Sequence, residues 1–345
     1  SGWSHSDRGC KKLKDLVIFQ TNDRHSHFHG LLNYDDALQT GQQTVGGADH
    51  WMKLVEDTRD NPDVEVLLLS AGDFSMGTML VAAEDNAADL NFMKEFGYTA
   101  GAIGNHELDW GPARLAAMIQ AADQPPVPLL SANMVFSDDP ADDALEALYG
   151  PHGESGKLIH PWMVHEIPGG TRVGIFGLLG INAAEVVPQK RPVAFSDDID
   201  EMAATAQQVV DTLRDEQEVD LVLCLAHLGV DGNNQTGEST DLAARVEGID
   251  IVLSGHNHTA MAQAVQVPCE VDGSSWTTTV MEAGKYGLYL GRYDVGFEGD
   301  KPAVTGTLID VDESLGSSTG VAEHVAAHVE DIESNFLPLF PMQAA

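Results

Sequence analysis

Histidine, aspartate and asparagine recur in this chain in one kind of place, directly after short apolar runs. Asp23 and His25 follow the run Leu16–Gln20, Asp73 follows Val64–Leu69, and Asn105 and His106 follow Tyr98–Ile103. His227 closes the run LVLCLAH, and His256 and His258 come after IDIVLSG. Carboxylate oxygen, amide oxygen and imidazole nitrogen together suit Mn, Fe, Co, Ni or Zn. With no cysteine among them, they argue against a thiolate site or an all-oxygen calcium site. Asp23, His25, Asp73, Asn105, His227, His256 and His258 are too many donors for one tetrahedral ion. They are about right for two ions sharing a bridging carboxylate, the arrangement that clamps phosphoryl oxygens and activates a water. One histidine at a strand end is ordinarily structural, and Gly-Asp after a strand is common turn chemistry. Such exits repeated along the chain need a single explanation.

The elements that must position these groups alternate in type. Leu16–Gln20 and Val64–Leu69 read as buried strands, and Tyr98–Ile103 and Val127–Ala132 as further strands. Between them, Val45–Arg59 carries Trp51, Leu54, Val55 and Thr58 at helical spacing. Glu84–Phe96 reads as a helix stopped by Gly97, and Pro112 opens a helix to about Ala122. Residues 136–156 are acidic and read as an excursion loop. Leu158–Ile167 and Arg172–Leu179 predict a hairpin around Pro168-Gly169-Gly170-Thr171. Ile199–Asp215 and Glu238–Val246 read as helices, Val219–Ala226 and Ile249–Leu253 as strands, Ala264–Val311 as successive strands, and Gly320–Ser334 as a helix. This order predicts an α/β domain whose sheet gains antiparallel strands late, with no internal repeat. In open α/β sheets ligands gather beyond the carboxyl ends of strands, so the polar exits can converge.

Asp and Glu number 54 against 18 Lys and Arg, a formal net charge of −36. Such a surface repels nucleic-acid phosphates and anionic lipid over a Debye length of roughly 8 Å. Self-repulsion of this size disfavours the compact state in dilute buffer and is screened by salt, so the composition predicts adaptation to high salt. No apolar run reaches the length of a membrane span. The chain has 3 cysteines; Cys224 reads as a buried filler in a strand. Cys10 and Cys269 are free to pair or not.

The segments TNDRHSH (21–27), AGDFSMGT (71–78), GNHELDWG (104–111), LLSANM (129–134), AHLG (226–229), SGHNHT (254–259) and AGKYGLYLG (283–291) carry a family likeness, as does GTRVGIFGLLG (170–180). Over roughly residues 15–310 the chain resembles the calcineurin-like metallophosphoesterases, and within them the catalytic domain of the 5′-nucleotidases. That resemblance implies a four-layer α/β/β/α sandwich of two mixed sheets over 15–312, after a loose segment 1–14. The helix and tail 313–345 would lead, in relatives, to a second domain that holds the nucleoside. Two divalent ions (Mn, Zn, Co, Fe or Ni) are implied. Asp23, His25 and His258 would hold the first, Asn105, His227 and His256 the second, and Asp73 would bridge them. His106 would be catalytic, oriented by Asp109. A metal-bridging hydroxide would attack in line at the phosphorus of a nucleotide ester.

Activity on 2′,3′-cyclic nucleotides, nucleotide sugars or another anionic ester fits the same family. A non-catalytic metal- or partner-binding module is the reading of a different class, and every filled metal and catalytic position opposes it. The implied partner is a small phosphate ester, and family members are commonly periplasmic or at the cell surface. His27 and His29 fit no ligand position, and His50, His152, His160, His165, His324 and His328 read as surface groups. Glu107 reads as loop support.

Overall fold

β1 (Asp15–Thr21) is buried from Leu16 onward, because its two faces meet two different cores. Val17 and Phe19 point into one and Leu16 and Ile18 into the other, the period-two alternation of a strand covered on both sides. A computed structural model describes residues 15–32, 44–79, 86–233, 235–297 and 302–336. β2 (Leu31–Leu32) and β3 (Thr44–Val45) form a small separate ladder.

The remaining strands are β4 (Val64–Ser70), β5 (Ala100–Ala102), β6 (Leu129–Leu130), β7 (Ile159–His160), β8 (Trp162–Glu166), β9 (Arg172–Leu179), β10 (Leu221–His227), β11 (Ile251–Ser254), β12 (Val265–Pro268), β13 (Thr277–Glu282), β14 (Tyr289–Gly296) and β15 (Ala303–Asp310). The first sheet has the order β15-β14-β1-β4-β5-β6-β7 and the second β12-β13-β11-β10-β9-β8. Both are mixed. From β1 to β7 and from β9 to β13 neighbours run parallel, while β14, β15, β8 and β12 add antiparallel edges.

One core lies between the first sheet and the helices Ala48–Arg59, Ala88–Glu95, Pro112–Ala121 and Thr319–Asp331, around Phe19, Trp51, Phe92, Leu115 and Val321. The other fills the space between the sheets and beneath the helices Ile199–Asp211 and Glu238–Arg245. The architecture is therefore the four-layer α/β/β/α sandwich. Helix Thr319–Asp331 is packed in place. The Ser318 hydroxyl accepts from Val321 N–H at 3.4 Å and donates to Glu56 Oε1 at 2.8 Å, and Val321 and Val325 are buried.

Three expectations need correction. The stretch 136–156 is not only an excursion: it holds the helical turn Asp143–Glu146, and Leu145 and Leu148 enter the first core. The strand expected over Leu158–Ile167 breaks at Pro161. β7 pairs with β6 in the first sheet, and β8 pairs with β9 in the second, so the chain changes sheets there. The late strands are likewise divided, β12 and β13 joining one sheet and β14 and β15 the other. Cys224 is fully buried in β10 and Cys269 is buried, while Cys10 and the segment 1–14 lie outside the described residues. Among the described residues no helix is long and apolar enough to cross a membrane.

Candidate metal centre

β1, β4 and β5 of the first sheet and β10 and β11 of the second end side by side, and their exits converge. Asp23, His25, Asp73, His256 and His258 all have positive φ (48°, 50°, 48°, 101° and 61°). A non-glycine residue held there costs about 1–3 kcal/mol and persists only where its surroundings over-determine it.

Those surroundings are buried side chains accepting backbone N–H groups. Glu107 Oε2 accepts from Asp73 N (3.0 Å) and Gly104 N (2.7 Å), and its Oε1 accepts from the amide and hydroxyl of Ser75 (both 3.0 Å). Glu282 accepts from Val230 N (2.8 Å) and Thr259 N (3.0 Å), tying the loops after β10 and β11 together. Burial pushes both carboxyls up to about 7, with Asp73 adding to the effect on Glu107 and Asp23 to that on Glu282. Asn22 Nδ2 donates to Asp23 Oδ2 (2.8 Å) and to Gly284 O (2.7 Å). Gly104 has no room for a side chain, since a Cβ would lie 2.2 Å from Asp73 Oδ1.

All nine residues expected at the site come together. His258 Nε2 lies 3.3 Å from both Asp23 Oδ1 and His25 Nε2, and His25 Nε2 lies 3.9 Å from Asp23 Oδ1. Asp73 Oδ2 stands 3.9 Å from His25 Nε2 and 3.1 Å from His227 Nε2, between the two groups. Asn105 Oδ1 is 3.1 Å from His227 Nε2. Asp73, His227 and His256 offer donor atoms within 4.8 Å of one another, as do Asp23, His25 and His258, and His25, Asp73 and His106.

The imidazoles are aimed. His25 Nδ1 donates to Met76 O (2.9 Å) and His227 Nδ1 to Ala71 O (2.8 Å), which turns each Nε2 inward. His256 Nε2 meets Asn182 Oδ1 at 2.9 Å, leaving Nδ1 free. His106 N–H donates to Asp73 Oδ1 (2.9 Å), and its Nδ1 donates to Asp109 Oδ2 (2.7 Å).

The electrostatics mark a site made for positive charge. Burial alone would raise the Asp73 carboxyl, but His227 and His25 hold it well below the usual carboxylate range. Burial opposes a charge on His227, yet Asp73 and Asp23 push it up to about 10. Burial and the His227 charge lower His256 to about 4. Asp23 Oδ1 is buried without a hydrogen-bond donor, although imidazole nitrogens surround it at 3.3–4.0 Å. An orphaned carboxylate oxygen inside a nitrogen–oxygen cage fits a divalent cation.

Asn22, Asn182 and Glu282 went unnoticed at the sequence level. Glu282 had a signal, since it ends a strand just as the histidines do. Among the described residues the remaining histidines belong to none of these clusters, and His27 stacks on Tyr286 at 4.1 Å. His160 and His328 are not surface groups. His160 is buried with Nδ1 on Gly150 O (2.9 Å), and His328 is buried 4.1 Å from the His324 ring.

A two-sheet sandwich with this Asp, His and Asn cluster at the strand exits is a candidate metal centre. Residues 16–260 match the profile of the calcineurin-like phosphoesterases, and the chain belongs to that family. The family uses a divalent metal centre, and Asp and His groups able to bind metal are in place here. The trifunctional nucleotide phosphoesterase protein YfkN of Bacillus subtilis is 29% identical over 95% of this chain and 21% of its own length. Protein UshA of Yersinia enterocolitica is 27% identical over 91% of this chain and 55% of its own length. The crystal structure of a 5′-nucleotidase precursor from Thermus thermophilus superposes with a TM-score of 0.75 and 26% identity, covering 93% of this chain and 59% of that one. The chain thus spans about half the length, or less, of the curated relatives it matches first.

Proposed function

We propose that this chain is a metal-dependent phosphoric ester hydrolase acting on nucleotide phosphate esters, with 15–312 as its catalytic domain. The observation that carries the reading is Asp73, whose Oδ2 stands between the Asp23/His25/His258 group and the Asn105/His227/His256 group. Each group would hold one divalent ion, with Asp73 shared. The Thermus 5′-nucleotidase and the nucleotide phosphoesterase YfkN support the substrate class.

When bound, the two ions supply an activated water and positive charge against the phosphoryl oxygens. The chain's own residues orient and move protons. Asp109 holds the His106 ring through Nδ1, leaving Nε2 to carry a proton to the leaving oxygen. The Asp109 hydrogen bond raises His106 to about 9 against the opposing effect of burial, so the imidazolium is the main form near neutral pH.

The test is hydrolysis of 5′-AMP, 2′,3′-cyclic AMP, a nucleotide sugar and bis-p-nitrophenyl phosphate after chelation and refilling with Mn, Co or Zn. Turnover of 5′-AMP restored only by metal is expected. Silence toward every ester, at low and molar salt, would leave a non-catalytic metal-binding module.

A further inference from the structure

The loop that carries Asp23 and His25 has a second face. Asp23 and His25 point into the metal centre, while Arg24 and Ser26 point the other way, into the helical layer over the first sheet. The Arg24 side chain is 2% exposed there, a guanidinium inside an otherwise apolar core. Its charge lies 4.6 Å from the centre of the Phe28 ring and 4.9 Å from that of Phe92.

One carboxylate reaches both side chains. Asp89, in the first turn of the helix Ala88–Glu95 and itself buried, places Oδ1 2.8 Å from Arg24 Nη2. Its Oδ2 accepts from the Ser26 hydroxyl at 2.6 Å. Arg24 and Ser26 flank His25, so Asp89 grips the loop on either side of a metal-facing imidazole. The Arg24 contact lies off the hydrogen-bonding axis, and both Nη atoms are buried without an aligned acceptor among the described residues. Charge and the two rings hold the pair together.

Taking two such charges out of water costs about as much as their attraction returns, so the pair adds little to stability. What it adds is fixed geometry, at a loop that needs it. Asp23, His25 and Ser26 have φ of 48°, 50° and 54°, and residues stay in that region only where their surroundings over-determine them. The backbone supplies one constraint: the amides of Asp23, His25 and Ser26 donate to the carbonyls of Gly72, Asp73 and Phe74, each at 3.0 Å. Those bonds tie the loop to the exit of β4 along one edge. Asp89 supplies the constraint on the other side.

We propose that Arg24, Ser26 and Asp89 are positioning residues that aim Asp23 and His25 at the first of the two ions and take no part in holding the second. The inference rests on the two-ion reading above. It is tested by titrating manganese ion into the chelated full chain by calorimetry, with thermal melting of the metal-free protein alongside. His258→Ala and His256→Ala, each lacking one donor of one group, identify which binding step belongs to which ion. Ser26→Ala removes one grip and leaves both buried charges in place. Arg24→Met combined with Asp89→Asn removes both charges, keeps an oxygen for Ser26 and fills the space beside the phenyl rings.

Affinity for the first ion should fall about 10–100-fold in the double variant, as when a metal ligand loses its outer partner. In Ser26→Ala it should fall about threefold or more, the worth of one hydrogen bond. Affinity for the second ion should stay within about threefold in both, because its donors share no partner with Asp89. The double variant should melt close to the wild type, since replacing both members of a buried pair is nearly neutral. Wild-type affinity for both ions in the double variant overturns the proposal, for then the pair only offsets its own charges. Equal weakening of both ions overturns it too, as the mark of a loosened fold. Where the double variant melts early, Ser26→Ala decides, and an unchanged first-ion affinity there counts against the positioning role. A wild type that binds one ion or none sinks the two-ion reading instead.

Discussion

Replacing Asp109 by asparagine removes one charge and leaves an oxygen that can still accept from His106 Nδ1. The expected effect is on proton affinity rather than on ring placement. His106 stands at about 9 against an ordinary 6.5, and the Asp109 hydrogen bond is the largest contributor; burial opposes it, and the charges of Asp73 and Asp109 add to it. With that bond neutralised, the imidazole returns to roughly 6.5–7. At pH 8 the protonated fraction then falls from about nine-tenths to between roughly a thirtieth and a tenth, a ~10–30-fold loss in any step that needs the proton. The imidazole is 41% exposed, so solvent screening favours the lower end of that range. The assay is kcat from pH 6 to 10 for 5′-AMP and for p-nitrophenyl phosphate, with metal content measured alongside. Asp109→Asn should slow 5′-AMP hydrolysis by that factor and pull the alkaline limb of its profile down by about two pH units. p-Nitrophenyl phosphate, whose phenolate departs without a proton, should slow by less than about threefold. Equal losses on both substrates, or an alkaline limb that does not move, would refute the proton-donor role.

His106→Ala should lower 5′-AMP turnover by about 10²–10⁴ with both ions retained, since no ligand is lost; half-lost metal with high turnover contradicts the assignment. Glu107→Ala strands the buried amides of Asp73, Ser75 and Gly104 at about 1–3 kcal/mol each. Scanning calorimetry and metal analysis should show a lower Tm and weaker metal retention, and full metal content at unchanged Tm would count against the latch. In the chelated protein the Asp73–His227 pair sets the pH window of stability. His227, raised from 6.5 to about 10, contributes fully below pH 6.5 and loses its contribution as pH rises through about 10. Asp73, depressed below 3.8, contributes above that value and loses its contribution as pH falls. Stability should decline as pH rises above about 6.5, and His227→Gln should shrink that decline in a melting series without abolishing it, because His106, raised to about 9, loses stabilisation over part of the same range. At a net charge of −36, Tm should rise from dilute buffer to molar KCl, and a flat or falling Tm would remove the argument for adaptation to salt.

The groups aimed into the centre were legible because their types are out of place where they stand. An Asp or His directly after an apolar strand stays near the sheet, and the exits of β1, β4, β5, β10 and β11 share one end of the two sheets. The change of sheet at Pro161 was not legible: a proline marks a break in a strand, but Leu158–Ile167 is apolar on both sides of it and only the pairing partners show that the two halves join different sheets.

The supports were only partly legible. Glu107 reads as loop support and Glu282 ends a strand as the histidines do, but the tasks they and Asn22 perform, accepting backbone N–H groups or turning a neighbouring carboxylate, leave no side-chain pattern in sequence. Yet they make the site possible. Five residues at the centre have φ of 48–101°, a strain of about 1–3 kcal/mol apiece. Asp73 N, the amide of one of those five, is held by Glu107; Thr259 N, the amide that follows His258, is held by Glu282; and Asp23 Oδ2 is held by Asn22. A substitution that spares every metal-facing side chain but removes one of these supports therefore releases the strained loop, and the metal-facing groups relax apart. Loss of metal without loss of any donor is the signature that separates this account from one in which the donors hold themselves in place.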